Sequence, residues 1–324
     1  MASTRGATVE FRNVSKRYPG QLAVDQLSFT VPAGKICILV GPSGSGKTTS
    51  LKMVNRLIEP SGGSILINGQ DVLREEPTAL RRRIGYVIQQ VGLFPHQTIA
   101  ENVGTVPRLL GWPKERIAAR TEQLLALVGL DPSRFAKRYP AQLSGGERQR
   151  VGVARALAAE PPVMLMDEPF GAVDPIVRER LQNEFLRIQR DQGTTVLFVT
   201  HDIDEAIKLG DRVAVMRAGK LVQYAPPGPL LANPVNEFVA EFVGPDRGMK
   251  RLALLTVGGM DLDTTVDRSK VSPAAPILSP ATTLRDALVN MLANDAQVGV
   301  VMDGKRYVGV LTLSKIGKMI RGDA

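Results

Sequence analysis

The sequence predicts an α/β fold over residues 1–244, followed by a small α+β domain at the end of the chain. Three observations carry that expectation. Short apolar runs such as "KICILV", "PVMLMDEP" and "TTVLFVTHD" alternate with helical stretches, the order of βαβ units whose strands lie parallel and buried. A glycine-rich turn, "GPSGSGKTT" (Gly41 to Thr49), follows the first of those runs. After Gly244 the chain changes character, and a second strand-and-helix pattern begins near residue 276.

Each element has its own signal. "TVEFRNVSKRY" and "LAVDQLSFTV" read as an opening strand pair, and "KICILV" as a short buried strand. "GSILINGQDV" reads as a hairpin arm, with Asn68-Gly69 supplying the turn. From about Thr98 to Glu160 the pattern turns helical, as in "ERIAARTEQLLALVGL". "PVMLMDEP" and "TTVLFVTHD" then return as buried strands on either side of the helix "IVRERLQNEFLRIQRDQG". No internal repeat of solenoid type is visible.

Composition bounds the function. With 324 residues, 44% apolar and 23% charged, the chain can hold a large core and a second small domain. The start "MASTRGATVEFRNVSKRY" lacks the apolar segment of a signal peptide. No run reaches the ~18 apolar residues that span a bilayer, and the expectation is a cytoplasmic protein. The single cysteine, Cys37, lies inside an apolar strand, which excludes a disulfide framework and reads as a core thiol. A net charge of +9 suits polyanion partners such as nucleotide, nucleic acid or an anionic membrane face. The basic residues are scattered, and the densest cluster, "LRRRIG", reads as a solvated face.

The chemistry concentrates at strand ends. Gly41, Pro42, Ser43, Gly44, Ser45, Gly46, Lys47, Thr48 and Thr49 fit the phosphate-loop pattern G-x-x-x-x-G-K-S/T after a strand. The glycines let backbone amides close around phosphates, Lys47 is placed to reach the β/γ-phosphates, and Thr48 offers a hydroxyl to Mg²⁺. By itself such a loop leaves kinases, GTPases and ATPases open. In "VMLMDEPFGAVD" an apolar strand runs into Asp167 and Glu168, the strand end where α/β folds place their chemistry. Asp167 suits the magnesium shell, and Glu168 suits polarising a water for in-line attack. His201, in "LFVTHD", falls where a γ-phosphate contact is needed. His96, in "LFPHQT", reads as structural or interfacial.

A second glycine-rich turn, "QLSGGERQR", also precedes a helix. The order phosphate loop, glutamine, Leu-Ser-Gly-Gly-Glu, Asp-Glu strand end and histidine resembles the nucleotide-binding subunit of ABC transporters over roughly residues 8–244. That resemblance implies a cassette with a mixed-sheet core, an antiparallel β subdomain and a helical subdomain that grips a transmembrane permease. It also implies ATP and Mg²⁺, and a head-to-tail homodimer in which Ser144, Gly145 and Gly146 close over the ATP of the other copy. By the same resemblance Tyr18 stacks on adenine, Gln89 touches magnesium and the attacking water, and Asp174 acts across the dimer. Gln90 beside Gln89 leaves that register open by one. Gly171 and Val173 depart from the family's usual Ser-Ala-Leu-Asp.

The tail divides into a connecting segment, residues 245–275, and a domain over residues 276–324. "ILSPATTLRDALVNMLANDAQVGVVMDGKRYVGVLTLSKIGKMIRG" gives helix, strand, Asp303-Gly304 turn, strand and helix, which resembles a single CBS motif. Lys315 stands where nucleotide-binding CBS motifs carry a ribose-binding aspartate. The cassette, the tail and "IGYVIQQVGLFPHQTIAENV" together look most like importers of glycine betaine, carnitine and choline, fed by a solute-binding protein. The rivals are the same motor serving another solute, such as an amino acid, and a soluble ABC-type ATPase acting on nucleic acid.

Overall fold

The computed structural model describes residues 6–88, 92–171 and 173–321. They divide into two compact units that part between Pro226 and Pro227. The strands of the first unit are β1 (Val9–Tyr18), β2 (Gln21–Val31), β3 (Ile36–Val40), β4 (Gly62–Ile67), β5 (Gln70–Asp71), β6 (Ile84–Val87), β7 (Val163–Asp167), β8 (Thr195–Val199), β9 (Arg212–Arg217) and β10 (Lys220–Ala225). Its helices are α1 (Lys47–Val54), α2 (Pro77–Arg82), α3 (Ile99–Val103), α4 (Thr105–Leu109), α5 (Lys114–Leu127), α6 (Pro132–Phe135), α7 (Gly145–Leu157), α8 (Pro175–Gln192) and α9 (Ile203–Leu209).

Two sheets form for two reasons. In β2, buried Val24, Leu27, Phe29 and Val31 alternate with polar neighbours, the pattern of an antiparallel sheet with one wet face. It belongs to a four-stranded antiparallel sheet in the order β2-β1-β4-β5. The β4–β5 turn falls on Asn68 and Gly69, both at positive φ, as a two-residue hairpin requires. In contrast β3, β7 and β8 are buried at every position, the mark of parallel strands covered on both faces. They form the centre of a six-stranded sheet, β10-β9-β3-β8-β7-β6, in which β10 runs antiparallel to β9. One core joins the two sheets, with Phe11 stacked on Phe29 at 4.6 Å. Cys37 is fully buried there, and burial pushes its thiol up to about 12. The core-thiol expectation holds.

Register positions the site. Leu39 of β3 and Asp167 of β7 both pair with Val199 of β8, so the carboxyl ends of three parallel strands lie level. The helical stretch supplies α3 and α5, which pack on α7.

The second unit contains α10 (Pro227–Ala232), α11 (Glu237–Val243), α12 (Arg247–Leu254), α13 (Leu284–Ala293) and α14 (Leu313–Arg321) with β11 (Ile277–Leu278), β12 (Val298–Asp303) and β13 (Arg306–Thr312). Strand β12 lies between a parallel β11 and an antiparallel β13, and the β12–β13 turn is at Gly304, φ +59°. Residues 245–275, expected as a connector, fold as part of this body instead. Leu252 of α12 and Val257 are fully buried with Leu278, Leu284, Val301, Leu311 and Ile316, and Asp263 exchanges backbone bonds with Val310 at 3.0 and 2.9 Å. The compact division also precedes Gly244, because α10 packs on α12.

Candidate functional site

The glycine-rich turn lies between β3 and α1 because only glycine fits there. A Cβ at Gly41 would meet the Met216 carbonyl at 2.1 Å, and one at Gly46 would meet the Ala23 carbonyl at 2.5 Å. Both residues also hold positive φ, +148° and +96°, which side chains other than glycine's tolerate poorly. Lys47 opens α1 with its ammonium turned back on the loop, donating to the carbonyls of Gly41 at 2.7 Å and Pro42 at 2.9 Å. Burial holds this lysine below its ordinary pKa, while the charges of Glu168 and Asp167 draw it back up.

Beside the loop, the Thr48 hydroxyl donates to Oδ1 of Asp167 at 3.0 Å. Asp167 is buried, and burial pushes its carboxyl above the usual range against the Thr48 bond and the charge of Lys52. Glu168 follows at φ +47°, a left-handed conformation that costs a residue with a Cβ roughly 1–2 kcal/mol. Its N–H donates to the Val199 carbonyl at 3.0 Å. Its Oε1 lies 3.1 Å from Nδ1 of His201, whose ring is largely exposed. Among the described residues no three His, Cys, Asp or Glu side chains could enclose a metal. A hydroxyl and one carboxylate nevertheless fit Mg²⁺, which keeps waters and takes phosphate oxygens as its other ligands.

Tyr18, partly exposed at the end of β1, lines a cavity of about 210 Å³ with Gln21, Ala23 and residues 44–49 of the loop. Lys16 Nζ stands 5.1 Å from its ring centroid. Gln89 and its neighbour Gln90 lie outside the described residues. Ser144 caps α7: its Oγ accepts from the Glu147 N–H at 3.3 Å, and Glu147 accepts from the Ser144 N–H at 2.7 Å. No hydrogen bond among the described residues joins Ser144, Gly145 or Gly146 to this chain's own phosphate loop. Asp174 caps α8 by accepting from the Val177 N–H at 3.1 Å. His96 is exposed, with Phe94 6.1 Å away between ring centroids.

Two side chains at this site carry no signal in the sequence pattern. Gln149, buried on α7, donates to the Glu168 carbonyl at 3.1 Å. Tyr86 on β6 has its hydroxyl buried without a partner among the described residues, and burial together with the charge of Asp167 pushes it up to about 12. The first depends on how α7 packs on the end of β7 and the second on β6 lying beside β7, and no local spacing records either.

The level carboxyl ends of adjacent strands thus bring together a cation, a hydroxyl, two carboxylates and an imidazole, the equipment for phosphoryl transfer from a nucleotide. Fold and site define an ABC-type ATPase, and the chain belongs to the ABC transporter family, whose pattern matches residues 24–171. It is 52% identical, over 91% of its length and 76% of the relative's, to the osmoprotectant import ATP-binding protein OsmV of Salmonella typhimurium. The glycine betaine/carnitine/choline transport ATP-binding protein OpuCA of Bacillus subtilis is 53% identical over 74% of this chain, which spans 63% of that protein. The glycine betaine uptake system ATP-binding protein YehX of Escherichia coli is 46% identical over 90% of this chain and 92% of its own length. Among solved structures, the dimeric post-hydrolysis state of the ATP-binding cassette MJ0796, bound to ADP and Pi, aligns with TM-score 0.62 and 32% identity. That alignment covers 67% of this chain and 98% of the cassette.

Proposed function

We propose that this chain is the ATP-hydrolysing motor of an importer for quaternary amine compatible solutes of the glycine betaine, choline or carnitine type. It works at the cytoplasmic side of a membrane, bound to a separate permease that a solute-binding protein feeds. The level strand ends carry the motor reading, since they hold Thr48, Asp167, Glu168 and His201 within hydrogen-bonding distance in pairs. The names of the relatives support the solute class. No helix among the described residues is long and apolar enough to cross a membrane, which fits a motor that needs a permease.

Thr48 and Asp167 would hold Mg²⁺, which when bound neutralises charge on the phosphates. Lys47 exchanges two carbonyl acceptors for charge-assisted bonds to the β/γ-phosphates. Glu168 polarises the attacking water and His201 orients that carboxylate. Tyr18 offers its ring to adenine across the cavity it shares with the loop. Ser144, Gly145 and Gly146 present helix-start amides to the nucleotide of a second copy, in a head-to-tail homodimer. Residues 276–324 of the second unit form a single CBS-like module that works without a bound adenosine nucleotide. That reading is supported by Lys315, whose ammonium donates to the Asp261 carbonyl at 2.6 Å.

The test is purification of the tagged chain with its permease from detergent-solubilised membranes, reconstitution into liposomes, and measurement of labelled solute uptake. ATP-dependent entry of a quaternary amine is expected. Transport of an amino acid instead would keep the motor and overturn the solute. Recovery of ribosomes or DNA in place of a permease would overturn both.

A further inference from the structure

We propose that Gln149 is a positioning residue for Glu168, through which helix α7 sets the geometry of this chain's hydrolytic carboxylate. The proposal rests on the reading of Glu168 as the group that polarises water.

Residue 168 is held at both backbone ends. Its N–H donates to Val199 at 3.0 Å, and its carbonyl accepts from the Gly171 N–H at 3.2 Å and from Gln149 Nε2 at 3.1 Å. With φ at +47°, the backbone sits in the left-handed region, sparsely populated for a residue with a Cβ, and persists only because those bonds hold it, so they help set where the carboxylate points. Its direction matters because Oε1 meets His201 Nδ1 at 3.1 Å.

Gln149 is an unusual group for mere filling. Its side chain is 2% exposed, and its Oε1 is buried without a partner among the described residues. Burying an amide with one end unsatisfied is unfavourable, and an apolar side chain of the same length would fill the space without that cost. The donated bond to Glu168 is what the amide adds.

The bond also joins two parts of the chain with different duties. Helix α7 starts at Ser144, where the capping box fixes its first turn, and Gln149 follows about 7–8 Å further along the same rigid helix. A shift of that first turn on a nucleotide held by a second copy therefore moves Gln149, and with it the Glu168 peptide. Through this link, filling one ATP site of the dimer tunes the hydrolytic carboxylate of the other, a coupling between two sites through one shared element.

The test uses the full chain in its transporter complex. Gln149→Met keeps length and removes the donor; Gln149→Leu removes the donor with a different apolar shape and is read the same way if the methionine variant does not fold. Turnover should fall by about 10- to 100-fold, the range for a misplaced reacting group, with ATP KM within about twofold and the Hill coefficient for ATP drawn towards one. In single turnover, adding Gln149→Met to Glu168→Gln should cause no further loss, because residues acting as one unit are non-additive. Wild-type turnover in the Gln149 variants, or an equal fractional loss with and without Glu168, overturns the link. Glu168→Gln alone separates the two readings: near-normal hydrolysis there overturns the base, whereas its loss beside full turnover in Gln149→Met overturns only the link.

Discussion

Glu168 combines three features that rarely meet in one side chain: a left-handed backbone, a buried strand beneath it and an imidazole 3.1 Å from its carboxylate. A carboxylate so fixed can direct a water without reorganising, which is how a positioned base lowers a barrier. Glu168→Gln should keep ATP affinity within about twofold and lower turnover by roughly 10²–10⁴-fold, the usual range for losing such a group. Steady-state phosphate release with equilibrium nucleotide binding measures both. Hydrolysis at near wild-type rate by the pure variant would remove Glu168 from the mechanism. Much of this region is legible in the sequence, because Lys47, Thr48, Asp167, Glu168 and His201 each sit within a few residues of a short apolar strand. The dihedral of Glu168 and its bond to Gln149 are not, since they depend on how α7 lies against the end of β7.

The elements behind the site are tied to one another by buried polar groups. Gln182 of α8 donates to Oε1 of Glu205 on α9 at 3.0 Å, and both are buried. Burial pushes the Glu205 carboxyl above the ordinary glutamate range; bonds with Thr200 and Gln182 and the charge of Arg178 oppose that, and Asp202 adds to it. The folded chain therefore holds this proton more tightly than the unfolded chain does. That contribution to stability is complete below the unfolded value of about 4.3 and is lost as pH rises through the higher folded value. Glu205→Gln removes the titration and keeps an amide in its place. Relative to wild type, the variant should gain melting temperature between pH 4.5 and pH 7.5. An equal shift at both pH values would show that folding does not raise the Glu205 carboxyl above its unfolded value. Element boundaries were legible where burial is continuous, as in β3, β7 and β8. Residues 245–275 were not, because α12 is only eight residues long and the rest joins the second unit through single bridges such as Asp263–Val310. A helix of barely two turns, however amphipathic, and single bridges are easily read as a connector.

At the scale of the whole molecule, the chain presents two glycine-rich turns at helix starts, and no hydrogen bond among the described residues joins them. The loop before α1 is closed by Lys47 and lies beside Thr48 and Asp167. The turn before α7 spends its serine on the cap, and a helix start with glycines at its first two positions is of the kind that suits a phosphate. Both suit a single nucleotide if a second copy packs head to tail, which makes each ATP site the product of two chains. Lys47→Ala removes the cation of one element, and Ser144→Arg places bulk and charge on the other. Each variant alone damages both sites of its homodimer and should hydrolyse little ATP. In a heterodimer of the two, one site carries both lesions and the other carries neither. Mixing equal amounts should therefore restore part of the wild-type rate, towards one intact site in each heterodimer. The measurement is phosphate release against mixing ratio, with heterodimers isolated on two different affinity tags. A flat, inactive profile from isolated heterodimers would exclude independent shared sites, whereas activity in either homodimer would show that its site is complete without the element removed.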